Sequence, residues 1–266
     1  MKSKKNVNHF KDISQISNND IIKLTRKLNI DIAIDLKGYT SNSKCEIFAS
    51  RLAPIQISFL GYPGSVSKNF IDYLIADEIV IPDKERHHYS EKIIFLPNSY
   101  QPNDNLRKIS NIKSQKKDFD LNQNSFVFCC FNNTFKITSE EFSIWLNILK
   151  EIDNSLLWLI DTNDIAKKNF INFTKQLGVD SNRIKFAKFL PQEKHLERLK
   201  HADLFLDTFT YNAHTTCSDA LWSGVPVITK QGKQFSARVA SSLLNAVNLK
   251  SLITHSNEQY SKLIIK

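Results

Sequence analysis

Short apolar runs alternating with segments of helical spacing constrain this chain more than any other feature. In the second half the runs are Phe126-Val127-Phe128-Cys129-Cys130-Phe131, residues 156–160, 183–186, Leu204-Phe205-Leu206 and Val225-Pro226-Val227-Ile228. Between them, residues 139–150, 165–177 and 193–201 place apolar side chains every three or four positions, as helices do. Strands that are apolar along their whole length are buried on both faces, and strands that recur after helices must be parallel. The first half shows the same rhythm over residues 29–97, with strands expected at 30–36, 55–60, 73–76 and 93–96 and a helix at 46–52. The fold class that follows is α/β, built as two lobes.

Between residues 98 and 123 the periodicity lapses into Asn, Asp, Lys and Ser, the composition of a linker. The expected organisation is therefore a first lobe over 1–97, a linker over 98–123 and a second lobe over 124–266. A nucleotide-type lobe usually carries about five or six strands. By that measure the first lobe reads as incomplete, opening on a polar leader and one helix, and residues 258–264 read as a closing helix cut short. No internal repeat of 20 to 50 residues is present.

Composition removes several function classes. The net charge of +9 comes from lysines scattered along an Asn- and Ile-rich chain, with no arginine-rich arm or zinc-finger spacing, so nucleic acid is not the expected partner. The four cysteines have no metal-ligand spacing, and Cys129 with Cys130 lies inside an apolar run. No apolar signal core opens the sequence, and no run of about 18 apolar residues exists to span a bilayer. A cytoplasmic protein is expected.

In parallel α/β sheets ligands gather outside the carboxyl ends of the strands. Three loops at such ends are chemically rich. Phe131 leads into Asn132-Asn133-Thr134-Phe135-Lys136-Ile137, where a lysine at a strand end could neutralise a leaving phosphate. Residue 186 leads to Leu190-Pro191-Gln192-Glu193-Lys194-His195-Leu196-Glu197-Arg198, with Pro191 at a helix start and His195 and Arg198 on one face. Leu206 leads to Tyr211-Asn212-Ala213-His214-Thr215-Thr216-Cys217-Ser218-Asp219 at the first turn of another helix. Free N–H groups and the helix dipole there would suit a diphosphate, and Asp219, one turn on, would suit ribose hydroxyls. Taken singly, each loop also fits an exposed Lys, a polar helix face or an ordinary Thr cap. Together they point to a phosphate-bearing ligand.

These motifs, with Leu60-Gly61-Tyr62-Pro63-Gly64, resemble the catalytic region of the SPINDLY-type O-linked N-acetylglucosamine transferases from about Val7 to the end. The resemblance implies a GT-B-like pair of Rossmann-type lobes, the first incomplete, and an inverting transfer of N-acetylglucosamine from UDP-GlcNAc to Ser or Thr of proteins without a metal or other cofactor. It implies that Lys136 stabilises departing UDP and that Asn133 and Gln192 stand beside the phosphates. The Leu190 backbone and Arg198 would read uracil, and His195 would stack on it. His214, Thr215 and Thr216 would hold the diphosphate, and Asp219 the ribose. Leu60 and Gly61 would line the acceptor side, and His9 corresponds to a histidine proposed as a base.

Two positions depart from the family pattern. Gln192 stands where the family has Lys, and Asn133 where it has Gln, so donor binding or donor choice would change. The family's tetratricopeptide repeats and first βα units are absent from this sequence, and a partner chain that supplies them is one expectation. Other readings stay open at this stage. They are a catalytically inactive UDP-binding fragment or scaffold, and a relative with another sugar donor or acceptor.

Overall fold

The computed structural model describes residues 7–67 and 69–266. The chain divides into two units, Met1–Leu96 and Pro97–Lys266.

In the first unit, helix α1 (Asn18–Lys27) starts at Ser17, whose hydroxyl accepts the Asp20 N–H and caps the first turn. Strands β1 (Ile32–Asp35), β2 (Ile55–Ser58), β3 (Tyr73–Ala76) and β4 (Lys92–Phe95) form a parallel sheet in that order. Ile21 of α1 packs with Ile47, Phe48, Leu52, Val66 and Ile71 in the core. The segment expected as a helix over 46–52 forms only a 3-10 turn, Cys45–Ser50. Arg51 adopts φ +57° at its end, and Pro54 follows, so the segment has no room to continue as an α-helix. Buried Gln56 ties this turn to the sheet by accepting the Leu52 N–H at 2.7 Å and donating to the Phe48 carbonyl at 2.9 Å.

The loop after β2 contains two constrained positions. Leu60 sits at φ +72°, in the left-handed region that a branched side chain rarely adopts. At Gly61 a Cβ would lie 2.2 Å from the Leu36 carbonyl oxygen and 2.8 Å from the Lys37 Cα. Only glycine lets the loops after β1 and β2 come this close.

The second unit alternates strand and helix throughout. Its elements are β5 (Phe126–Cys130), α2 (Ser139–Glu151), β6 (Ser155–Ile160), α3 (Asp164–Gln176), β7 (Ile184–Ala187) and α4 (Gln192–Leu199). Then follow β8 (Leu204–Leu206), α5 (Thr215–Trp222), β9 (Val227–Lys230), α6 (Val239–Ala246), β10 (Ile253–Thr254) and α7 (Asn257–Ile265). The sheet is parallel in the order β10-β9-β8-β5-β6-β7. All six residues of β6 are buried, as expected for a central strand covered on both faces. Cys129, Cys130 and Cys217 are buried free thiols, and Cys45 of the first unit is a partly buried one. From β5 the chain first winds outward through β6 and β7, then returns to the other side through β8. The direction of winding therefore reverses between β5 and β8, and at such a switch point the segments after the strands border a ligand crevice.

Residues 98–123, expected as a linker, belong to the second unit as a strap laid across α4, α5 and α6. Tyr100 is buried edge-on against Phe235 at 4.9 Å, and Ser99 Oγ lies 2.9 Å from Ser242 Oγ on α6. Gln101 donates to Ser218 Oγ on α5 at 3.0 Å. Ser110 N–H donates to the Glu193 carbonyl at 3.0 Å, and Ser114 N–H to the Glu197 carboxylate at 3.0 Å, both on α4. A polar segment with irregularly spaced anchors has no period for sequence reasoning to detect, although each anchor is bonded.

Candidate nucleotide-sugar site

The carboxyl ends of β5, β6, β7 and β8 surround a cavity of about 460 Å³. Its wall includes seven of the nine residues expected on the donor side. Asn133 comes from the β5 loop, Leu190 and Gln192 from the start of α4, His195 and Arg198 from α4 itself, and Thr216 and Asp219 from α5. Phe131, Ile160, Thr162 and Phe189 supply the rest of the lining. A larger depression of about 610 Å³ lies at the opposite, amino end of the same sheet, around Ser125, Ser155 and Arg183, away from all of these residues.

Pro191 caps α4 in an extended conformation, which places His195 one turn in and Arg198 a further turn on. Arg198 Nε donates to His195 Nδ1 at 3.0 Å, and Nη1 donates to the Lys188 carbonyl. The guanidinium faces the rings of Phe131 at 4.9 Å and Trp158 at 5.9 Å. Burial pushes the Arg198 pKa down to about 10, and burial followed by the Arg198 charge pushes His195 to about 4. His195 is thus neutral at physiological pH. It packs edge-on to Phe131 at 5.3 Å as an uncharged ring.

On the other wall, α5 begins at His214 with no side-chain cap, so its first N–H groups have no side-chain partner from the cap. Thr215 is exposed there, and Thr216 Oγ1 donates to Asn132 Oδ1. Asn132 in turn donates to Thr208 Oγ1 at 2.7 Å, which ties the β5 and β8 loops together. His214 is outside the cavity wall. It stacks on Tyr211 at 4.7 Å, with Nε2 3.3 Å from the Ser236 carbonyl. Burial, then the neighbouring Lys136 charge, lowers its pKa to about 3.

Lys136, at the end of a short 3-10 turn, donates to the Asn212 carbonyl at 3.0 Å and sits 4.1 Å from the Tyr211 ring centroid. Burial lowers its pKa, while Asp207 opposes that shift. Asp207 follows β8 and is fully buried. It accepts the N–H groups of Thr208 at 2.8 Å and Ala213 at 2.5 Å and the Thr229 hydroxyl at 2.6 Å, and so sets the course of the whole 207–214 loop. Burial pushes its pKa up to about 7 against those donors and against Lys136.

Sequence reasoning assigned no role to Asp207, Asn132 or Arg107. The first two could have been found from their position just past a strand end. Arg107 carried no such signal. Its Nη1 donates to Asp219 Oδ1 at 2.5 Å, so the carboxylate expected to meet ribose already has a partner. Leu60, Gly61 and His9 belong to the first unit. Leu60 and Gly61 form the constrained loop after β2, and His9 lies exposed ahead of α1. Among the described residues, no three His, Cys, Asp or Glu side chains form a group able to hold a metal, and no helix is long and apolar enough to cross a membrane.

The sequence profile of glycosyl transferase family 41 matches residues 1–115 and 101–266. The chain belongs to glycosyl transferase family 41. The probable UDP-N-acetylglucosamine–peptide N-acetylglucosaminyltransferase SEC of Arabidopsis thaliana is 38% identical over 96% of this chain and 27% of its own length. The corresponding SPINDLY protein of Petunia hybrida is 29% identical over 97% of this chain and 28% of its own length. The chain thus spans little more than a quarter of these relatives. A solved variant of the Thermobaculum terrenum O-GlcNAc transferase superposes with a TM-score of 0.88 at 26% identity, covering 99% of this chain and 50% of that one. The architecture is that of the GT-B glycosyltransferases, with two Rossmann-type α/β units.

Proposed function

We propose that this chain binds UDP-N-acetylglucosamine through its second unit and serves the transfer of N-acetylglucosamine, with inversion, to Ser or Thr hydroxyls of proteins. The observation that carries this reading is the convergence of seven donor-side residues on one cavity bordered by the open α5 start. The names of the SEC and SPINDLY relatives support the choice of sugar and acceptor.

In this reading uracil lies against neutral His195, next to the Leu190 backbone and the remaining Arg198 nitrogen. The diphosphate meets the α5 N–H groups, Thr215 and Thr216, beside Asn133 and Gln192, and the ribose meets Asp219. His214 supports this seat from behind through Tyr211. The acceptor oxygen bonds to the anomeric carbon as the bond from that carbon to the phosphate oxygen breaks, and UDP leaves with the electron pair. Charge therefore grows on the diphosphate in the transition state, and in this reading Lys136, which is outside the cavity wall, and the helix start neutralise it. The positive charge comes from protein groups, so transfer is expected to persist in EDTA. Leu60, Gly61 and His9 are assigned to the acceptor. The assigned compartment is the cytoplasm, where thiols such as Cys129 and Cys130 stay reduced.

The test is single-turnover transfer to a Ser/Thr peptide, with UDP binding measured in parallel. Lys136→Ala should slow transfer by about 10²- to 10³-fold, the loss typical for removing one preorganised charge-stabilising group. Unchanged transfer would remove Lys136 from the mechanism, and no UDP binding by the native chain would remove the whole assignment.

A further inference from the structure

Arg107 is the one strap residue whose side chain reaches a proposed ligand-binding carboxylate. A tight turn presents it: the Asp104 carboxylate accepts the Leu106 N–H at 2.8 Å, and the Asp104 carbonyl accepts the Arg107 N–H at 3.4 Å. The guanidinium is buried with Asp219, their side chains being 8% and 10% exposed, and its Cζ lies 5.0 Å from the centroid of the Trp222 ring on the next turn of α5. Gln101 holds Ser218, the residue before Asp219, so the strap grips α5 at two successive side chains. Arg107 takes no part in the cavity wall, whereas Asp219 does. The arginine thus stands behind the carboxylate, bonded to Oδ1 and not to Oδ2.

We propose that Arg107 is a positioning residue of the donor site, holding the Asp219 carboxylate from behind as a hydrogen-bond acceptor for the ribose hydroxyls, so that the strap takes part in nucleoside recognition. The inference rests on the reading of Asp219 as the ribose contact. Its physical basis is the cost of an isolated buried carboxylate. Burial drives Asp219 toward its protonated form and leaves its pKa raised, and the Arg107 charge and hydrogen bond limit that rise. A carboxylate accepts hydroxyl hydrogen bonds about twice as strongly as a neutral group does, and a protonated acid gives up part of that capacity. Pinning one oxygen also fixes the rotamer, which leaves less side-chain freedom to be lost when ribose binds.

The experiment measures binding of UDP and of 2′,3′-dideoxy-UDP to the full chain and to Arg107→Met, Arg107→Lys, Asp219→Asn and the Met/Asn double variant. Thermal melts confirm folding, and Arg107→Gln replaces the Met variant should that one fail to fold. The expected result is an approximately tenfold weaker Kd for UDP in Arg107→Met, on the order of one charge-assisted hydrogen bond. Dideoxy-UDP should change by less than about twofold, because it has no hydroxyls for Asp219 to hold. Arg107→Lys should recover part of the loss, and the double variant should be no worse than Asp219→Asn alone. Unchanged or tighter UDP binding in Arg107→Met overturns the proposal, the tighter result meaning that Arg107 competes with ribose. Equal weakening of both ligands also overturns it, since that reports a loosened α5. Asp219→Asn without effect on UDP is a separate failure: it refutes the ribose reading itself and takes the proposal with it.

Discussion

His195 and His214 are held without a proton at neutral pH, and this sets how the second unit should respond to acid. Their folded pKa values, about 4 and about 3, lie below the ordinary 6.5 because burial disfavours the charged ring. Below pH 6.5 the unfolded chain therefore binds protons that the folded chain refuses, and stability falls as pH falls toward 4. Asp207 runs the other way. Its folded pKa of about 7 exceeds 3.8, so the folded chain holds its proton more tightly, and this stabilising term fades as pH rises from 3.8 to 7. Across pH 6.5 to 4 the three imidazoles with lowered pKa, His195, His214 and His201, outweigh the two carboxylates with raised pKa, Asp207 and Asp219, each group changing stability by at most about 1.4 kcal/mol per pH unit. Urea unfolding should give a lower midpoint at pH 5 than at pH 7, and His214→Gln should show a shallower dependence than the native chain. An equal or higher midpoint at pH 5 would mean that the rings are hydrated.

The strap gives the element-scale prediction. Glu197 on α4 accepts the Ser114 N–H and hydroxyl, and His201 Nε2 lies 2.8 Å from that same hydroxyl. Burial raises the Glu197 pKa, but the two Ser114 bonds and the neighbouring charges outweigh it and leave the carboxylate below its usual range. Glu197→Ala should cost about 2 kcal/mol, the scale of lost hydrogen bonds to a charged group. It should also loosen the strap backbone and speed tryptic cleavage at Arg107 and Lys113, which a cleavage time course with mass detection would show; identical cleavage would mean that this end of the strap is not held by α4. Elements of this kind mark the limit of what the sequence made legible. Strands β5 to β9 and helices α2 to α5 were readable to within about two residues, because buried strands are apolar throughout and the covering helices keep their period. Strand β10 has only two residues, and α6 is buried on nearly all sides, so neither offers a contrast to read. The cavity wall was legible where it lies on strand ends and helix starts. The Arg107–Asp219 pair was not, since its partners are 112 residues apart and nothing local in Leu106-Arg107-Lys108 points to α5.

At the scale of the whole molecule, the two units place their cysteines very differently. The first has partly buried Cys45, and the second has Cys129 and Cys130 in β5 and Cys217 in α5, all three buried, with burial raising each thiol pKa. Thiolates, not thiols, react with alkylating reagents, so these three stay silent until the protein around them opens. The chain therefore carries its own clock, readable on a mass spectrometer as added tags. Under native conditions one tag should appear at Cys45, and over longer times or in mild urea the mass should jump from one tag to four. A lasting population with two or three tags would show that β5 and α5, a strand and a helix that both contribute to the cavity, come apart on separate schedules.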